Sequence, residues 1–176
     1  MRVLMRGGER LMGMDDETWA RHANPWSVWT RLLTPLPLLA LAVWSRVWIG
    51  TWALLPVSAA LAWIWLNPRL FPPPARLDSW SARGVLGERI WLRRPEAVAT
   101  HHIAPVRALT VLSALGMLPF AWGLWALDPW ATLLGIVMIA GFKAWFVDRM
   151  AWLWDDFARA GGTVADLRAD ARAPSA

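Results

Sequence analysis

The residues of this chain with the widest chemical repertoire are its three histidines, His22, His101 and His102. Imidazole combined with carboxylate suits zinc, iron or manganese, and a histidine can also serve as a general base near neutral pH. The carboxylates that could join them are Glu88, in Arg83-Gly84-Val85-Leu86-Gly87-Glu88-Arg89, and Asp148, Asp155 and Asp156 at the end of the last apolar run. Asp148 and Asp155 are seven apart and share a helix face, as Asp15, Trp19 and His22 do at i, i+4, i+7. Arg31, Arg69 and Arg89 would bind an anion, and Arg83 completes the candidate polar set. The metal-ligand spacing is weak. There is no H-E-x-x-H, no E-x-x-H and no cysteine, and adjacent histidines on a helix point about 100° apart. The same residues can equally form ion pairs and hydrogen bonds among themselves and the many arginines. The sequence identifies neither a metal nor a cofactor.

Other chemistries find less support. The absence of cysteine excludes a thiolate metal site, a cysteine nucleophile and a disulfide scaffold. No phosphate loop of the P-loop type occurs, and Gly84-x-x-Gly87 alone is uninformative. No apolar run holds a histidine that could ligate a haem between helices. The one charge inside a run other than at a turn is Lys143, near its edge, which does not make a transport relay. The aspartate-rich signature of lipid head-group transferases is absent.

The elements that must position these groups are membrane helices. Of 176 residues, 57% are hydrophobic and 18% charged, so the chain is too apolar for an ordinary soluble domain. Apolar residues fall in two blocks, Leu32 to Leu66, broken by Arg46, and Ala108 to Val147, broken by Asp128 and Lys143. A bilayer core of about 30 Å needs roughly 20 helical residues, so each block suffices for two crossings. The reading is an all-α integral membrane protein with four transmembrane helices, over about 27–45, 48–66, 107–127 and 130–148. They form two helical hairpins joined by a cytoplasmic loop, 67–106, within a single membrane domain spanning 14–160. The first span is short between Arg31 and Arg46, and a shallow re-entrant segment is its alternative. Pro35 and Pro37 should kink it, and Pro56 and Pro119 should bend the second and third spans. Asn24-Pro25 and Asp128-Pro129 each supply an N-cap followed by proline at the first helical position. Asn67-Pro68 should end the second span. The last helix should run on to a C-cap at Gly161-Gly162. The flanks 1–13 and 161–176 read as tails. The first has no apolar run and is not a signal peptide; Met14 is an alternative start.

Basic residues cluster in the N-terminal tail, the central loop and the C-terminal tail, whereas the two turns hold only Arg46. The positive-inside rule therefore places both termini and the loop in the cytoplasm. The net charge of +5 follows the membrane boundaries, which favours anionic lipid and argues against a nucleic-acid partner. Most of the 16 tryptophans fall near span ends, where indole rings favour the interface. Trp19, Trp80 and Trp91 do not. The central loop, with Leu77, Trp80, Leu86, Ile90 and Trp91, is too apolar for disorder and should lie on the membrane or fold under the bundle.

Four segments carry a family resemblance. Trp19-Ala20-Arg21-His22-Ala23-Asn24-Pro25-Trp26-Ser27-Val28-Trp29-Thr30-Arg31 resembles the opening signature of a family of small uncharacterised prokaryotic membrane proteins, known as a domain of unknown function. Residues 65–73, with Asn67-Pro68-Arg69, 83–91 and 148–152 are similar to further signatures of that family, so the resemblance covers roughly 14–155. It implies a polytopic protein of a prokaryotic cell membrane, the inner one where there are two, and no activity.

Two functional readings stay open. One is a non-catalytic membrane protein acting through lipid or protein contacts, as a homo-oligomer or beside a membrane protein partner. The other is a metal-binding protein or enzyme with a polar site at the cytoplasmic interface, drawn from His22, Arg31, Arg69, Arg83, Glu88, Arg89, His101, His102, Asp148 and Asp155.

Overall fold

The computed structural model of the chain describes residues 16–169, which are all-helical with no strand among them. Three stretches are long and apolar enough to cross a membrane: Pro25–Leu70, Thr100–Ala126 and Pro129–Arg159.

Local chemistry explains most helix ends. A short helix, α1 (Asp16–His22), leads into α2 (Pro25–Leu33). The Asn24 side chain caps α2 by accepting the Trp26 N–H at 2.9 Å, with Pro25 at the first helical position. The chain breaks at Thr34 because Pro35 has no N–H to continue the ladder, and α3 (Pro35–Trp44) follows. A turn built from α4 (Arg46–Ile49) and a 3-10 segment, Gly50–Ala53, leads into α5 (Leu54–Leu70). Gly50 has φ +55° there, a conformation that favours glycine.

Two proline expectations are corrected. Pro56 lies in the first turn of α5, where a missing N–H is harmless, and so does not bend it. Asn67-Pro68 does not end the helix, which continues to Leu70. So close to the helix end, Pro68 removes little of the hydrogen-bond ladder, and buried Asn67 is fastened from outside. Its Nδ2 donates to Thr30 Oγ1 at 2.8 Å, and its Oδ1 accepts from Ser27 Oγ at 3.3 Å. Further along, Trp63 Nε1 donates to Thr34 Oγ1 at 2.8 Å. Residue numbers thus fall along α5 as they rise along α2 and α3.

The central segment forms α6 (Trp80–Arg93), capped by Ser79 Oγ, which accepts the Ala82 N–H. After a 3-10 turn, Pro95–Ala97, come α7 (Thr100–Leu115) and α8 (Met117–Ala126). They part at Gly116, where Pro119 cannot donate to the Leu115 carbonyl four residues back. Then α9 (Pro129–Arg159) runs unbroken for 31 residues, about 46 Å at 1.5 Å per residue. Asp128 Oδ1 caps it, accepting from Trp130 N and Ala131 N at 2.9 and 3.1 Å. It ends in a Schellman turn: Gly161, at φ +89°, donates to the Ala158 carbonyl and Gly162 to the Phe157 carbonyl, both at 3.0 Å.

Beyond Gly162, where a tail was expected, residues 164–169 form α10 (Val164–Ala169). Asp166 Oδ2 accepts from the Thr163 N–H and hydroxyl, and Leu167 is completely buried in the core. The expected tail over 1–13 and the end of the C-terminal one lie outside the described residues.

The core sits at one end of the molecule, where α6 packs on α9. Ala82, Ile90, Trp91 and Leu92 from α6 meet Phe146, Val147, Met150 and Leu153 from α9, with Trp19 and Leu167 closing the sides. The two helices touch backbone to backbone. A Cβ at Gly87 would overlap the Met150 carbonyl, and one at Gly84 would overlap the Val147 side chain and lie 3.0 Å from its carbonyl oxygen. Gly84-x-x-Gly87 is therefore a packing seam. At the other end α8 lies close against α9 by the same means. A Cβ at Gly123 would collide with Thr132, and one at Gly135 with Phe120, the small-residue contact common between membrane helices.

Candidate functional site

The polar residues singled out from the sequence gather at the α6 end, but in separate groups. His22 closes α1 and meets Arg31 of α2, with Arg31 Nη1 2.6 Å from His22 Nδ1. A guanidinium only donates, so Nδ1 accepts and the proton sits on Nε2. Burial, then the positive charges of Arg31 and Lys143, hold the His22 imidazole well below its usual pKa. A neutral ring with its free lone pair on an arginine, beside two cations, is a poor metal ligand. Glu88 balances this group: Lys143 Nζ donates to its Oε1 at 3.2 Å.

A second group joins α6 to α9. Arg83 Nη1 contacts both Asp155 oxygens, at 3.0 and 2.9 Å, and Trp80 Nε1 donates to Asp148 Oδ1 at 2.9 Å. Asp148 and Asp155 do share a face, and that face is turned to α6. Trp80 also stacks on Trp29, with centroids 5.5 Å apart.

The third group is at the start of α7. His101 Nε2 and His102 Nε2 lie 3.2 and 2.9 Å from the same oxygen, Oδ2 of Asp156. Their rings are 4.1 Å apart between centroids. Asp156 Oδ1 takes a hydrogen bond from Arg159 Nη1 at 2.5 Å. His102 is fully buried, whereas the His101 side chain is 61% exposed, so the group opens to solvent on the His101 side. Among the described residues this is the set whose ligand atoms converge, all within 4.8 Å of one another.

Arg69 and Arg89 complete the candidate set. Arg69 lies over the Trp65 ring at 3.9 Å and donates to the Trp65 carbonyl, while its own carbonyl accepts from Arg21. Arg89 is buried and lines a cavity of about 110 Å³ with Trp19, Leu77 and Val164. The pairings thus set His22 with Arg31, Arg83 with Asp155, and His101 with His102.

Sequence reasoning named Asp156 among the possible carboxylates but kept its neighbour Asp155 in the final set, because Asp155 lies seven residues from Asp148. One residue further on, about 100° around the helix, Asp156 faces α7 instead of α6. It also left Asn67 as a helix terminator and Arg46 as no more than the one basic residue in the two turns. Arg46 Nη2 in fact donates to the carbonyls of Leu124 and Trp125, at 2.7 and 2.8 Å, capping the end of α8 from the opposite turn.

A family model described as a family of unknown function, DUF6653, matches residues 6–172, and the chain belongs to that family. No curated protein and no solved structure matches it.

Proposed function

We propose that this protein is a four-span integral membrane protein of the prokaryotic cell membrane, with both termini and α6 in the cytoplasm. It acts without catalysis, through contacts with lipid or with other protein, including a second copy of itself. The observation that carries this reading is the division of its surface. Leu41, Leu54, Leu118, Trp122 and Val137 are exposed along the apolar stretches, while Arg83, Lys143 and His22 are engaged with partners inside the chain. Two crossings within Pro25–Leu70 are supported by the reversed pairing of Thr34 with Trp63 and of Ser27 with Asn67. The legs α2–α3 and α5 are each near the roughly 20 residues that a crossing needs. An apolar groove of about 470 Å³ between α3 and α5, lined by Leu41, Pro56 and Trp63 among others, suits an acyl chain. The excess of arginine at the α6 end supports both the sidedness and an anionic lipid surface.

The chain lacks cysteine, so single-cysteine labelling is unambiguous. Asp78→Cys should react with a membrane-impermeant maleimide only in inverted vesicles, and Thr51→Cys only in intact spheroplasts. Labelling of both from one side would remove the double crossing, and a swap of sides would reverse the orientation. Delipidation should lower thermal stability and phosphatidylglycerol should restore it. Indifference to both would sink the lipid half of the reading.

A further inference from the structure

His101, His102 and Asp156 do not take part in the apolar surface or the ion pairs used above, and their geometry goes beyond that reading. We infer that they form a binding site for a divalent transition-metal cation of the zinc class, fastening the start of α7 to the last turns of α9.

Two imidazole nitrogens and one carboxylate oxygen are a standard donor set for zinc, iron or manganese. Zinc–nitrogen bonds of about 2.0–2.1 Å hold tetrahedral ligand atoms roughly 3.4 Å apart. The separations here, 3.2 and 2.9 Å from the two Nε2 atoms to Oδ2, need open by only a few tenths of an ångström. The larger opening is at His102, which is fully buried, so it falls on the Asp156 carboxylate, whose side chain is 33% exposed, while the smaller one is met by exposed His101. Binding through Oδ2 leaves Oδ1 with Arg159, the outer contact that orients a ligating carboxylate. Without a cation, both Nε2 atoms must donate to one oxygen. With one, each neutral imidazole carries its single proton on Nδ1 instead, and the Nε2 lone pair is free for the metal. His102 Nδ1 is buried without a hydrogen-bond partner. The exchange breaks no Nδ1 hydrogen bond, although it leaves the His102 Nδ1–H as a buried donor without an acceptor among the described residues. Three protein ligands with an open side toward solvent leave room for water as a further ligand, as in zinc sites that are not closed by the protein.

The discriminating contrast is with His22. It has the same side chain at the same end of the molecule, but Arg31 occupies its Nδ1 and Lys143 adds a second positive charge. It should take no part.

The test is a titration of tag-free, chelator-treated full-length protein in detergent with Co2+, followed by its visible d–d bands, and then with Zn2+ in competition. One equivalent of Co2+ should bind with visible bands that Zn2+ abolishes. His101→Ala, which alters an exposed side chain, and Asp156→Asn should each bind at least about tenfold more weakly while keeping wild-type helical content. His22→Ala should titrate like the wild type. Absence of stoichiometric uptake by the wild type would overturn the site, as would His101→Ala and Asp156→Asn binding as tightly as the wild type. None of these outcomes depends on which side of the membrane the α6 end occupies, so the site and the proposed topology fail separately.

Discussion

The two ends of this molecule solve burial in opposite ways. At the α6 end the protein is its own solvent: Trp19 and Trp91 are 4% and 1% exposed, and glycines let α6 and α9 touch. Charges there are paired across helices. At the turn end, around Ser45 and Leu127, Trp48, Trp52, Trp125 and Trp130 are 70–78% exposed. A polar tie joins the two turns there, with Arg46 donating to the carbonyls of Leu124 and Trp125. A tryptophan count alone does not separate these uses. Position does, because an indole buried in protein needs complementary neighbours, while one at an interface needs only the boundary.

Substitutions can break or sharpen that contrast. The largest effect should come from Gly87→Leu, which forces a side chain into the Met150 carbonyl. It should cost about 3 kcal/mol or more in a reversible unfolding titration in mixed micelles; near-wild-type stability would mean α6 and α9 do not touch there. Arg83→Ala should follow at about 1–2 kcal/mol, because half-buried Asp155 loses its partner. Arg46→Ala at the turn end should cost about 1 kcal/mol. It should also raise hydrogen exchange at the end of α8, near Leu124 and Trp125, and unchanged exchange there would refute the tie.

A smaller, pH-gated effect belongs to His22. Its pKa is lower in the folded chain than in the unfolded one, so the unfolded state binds more protons between the two values. Its contribution is complete above the unfolded value near 6.5 and is lost as pH falls below it toward the folded pKa. His22→Gln should flatten the stability–pH curve in that acidic window, and an unchanged slope would disprove the assignment. Trp48→Leu should be smallest, within about 0.5 kcal/mol in detergent. A loss comparable to Gly87→Leu would mean that Trp48 is buried by something other than lipid.

Legibility followed the same division. Features set within a few residues were readable: the Asn24-Pro25 and Asp128-Pro129 helix starts, the break before Pro35, and the stop at Gly161-Gly162. Apolar stretches long enough to cross a membrane were readable too, since length and hydropathy are properties of the chain. What could not be read was set by which helix lies opposite. Gly84 and Gly87 had no evident role until α9 lay against them. Asp155 and Asp156 differ only in the helix each one faces. His101 and His102 diverge on their own helix, yet meet at a carboxylate from α9. Asn67-Pro68 looked terminal because the bonds that hold it helical come from Ser27 and Thr30, some forty residues earlier.

The length of α9 has a consequence for how the chain is made. That one helix is the surface on which α6, α7 and α8 all pack, and it is synthesised after them. When Trp80–Arg93 leaves the ribosome, the Val147–Met150 surface that its glycines will touch does not yet exist. Ile90 and Trp91, among the most completely buried side chains of the finished protein, must wait through the synthesis of two more helices before they are covered. The order of translation thus makes the tightest-packed part of the molecule the last to be completed, and a chain stopped before Pro129 would leave α6 without its seat.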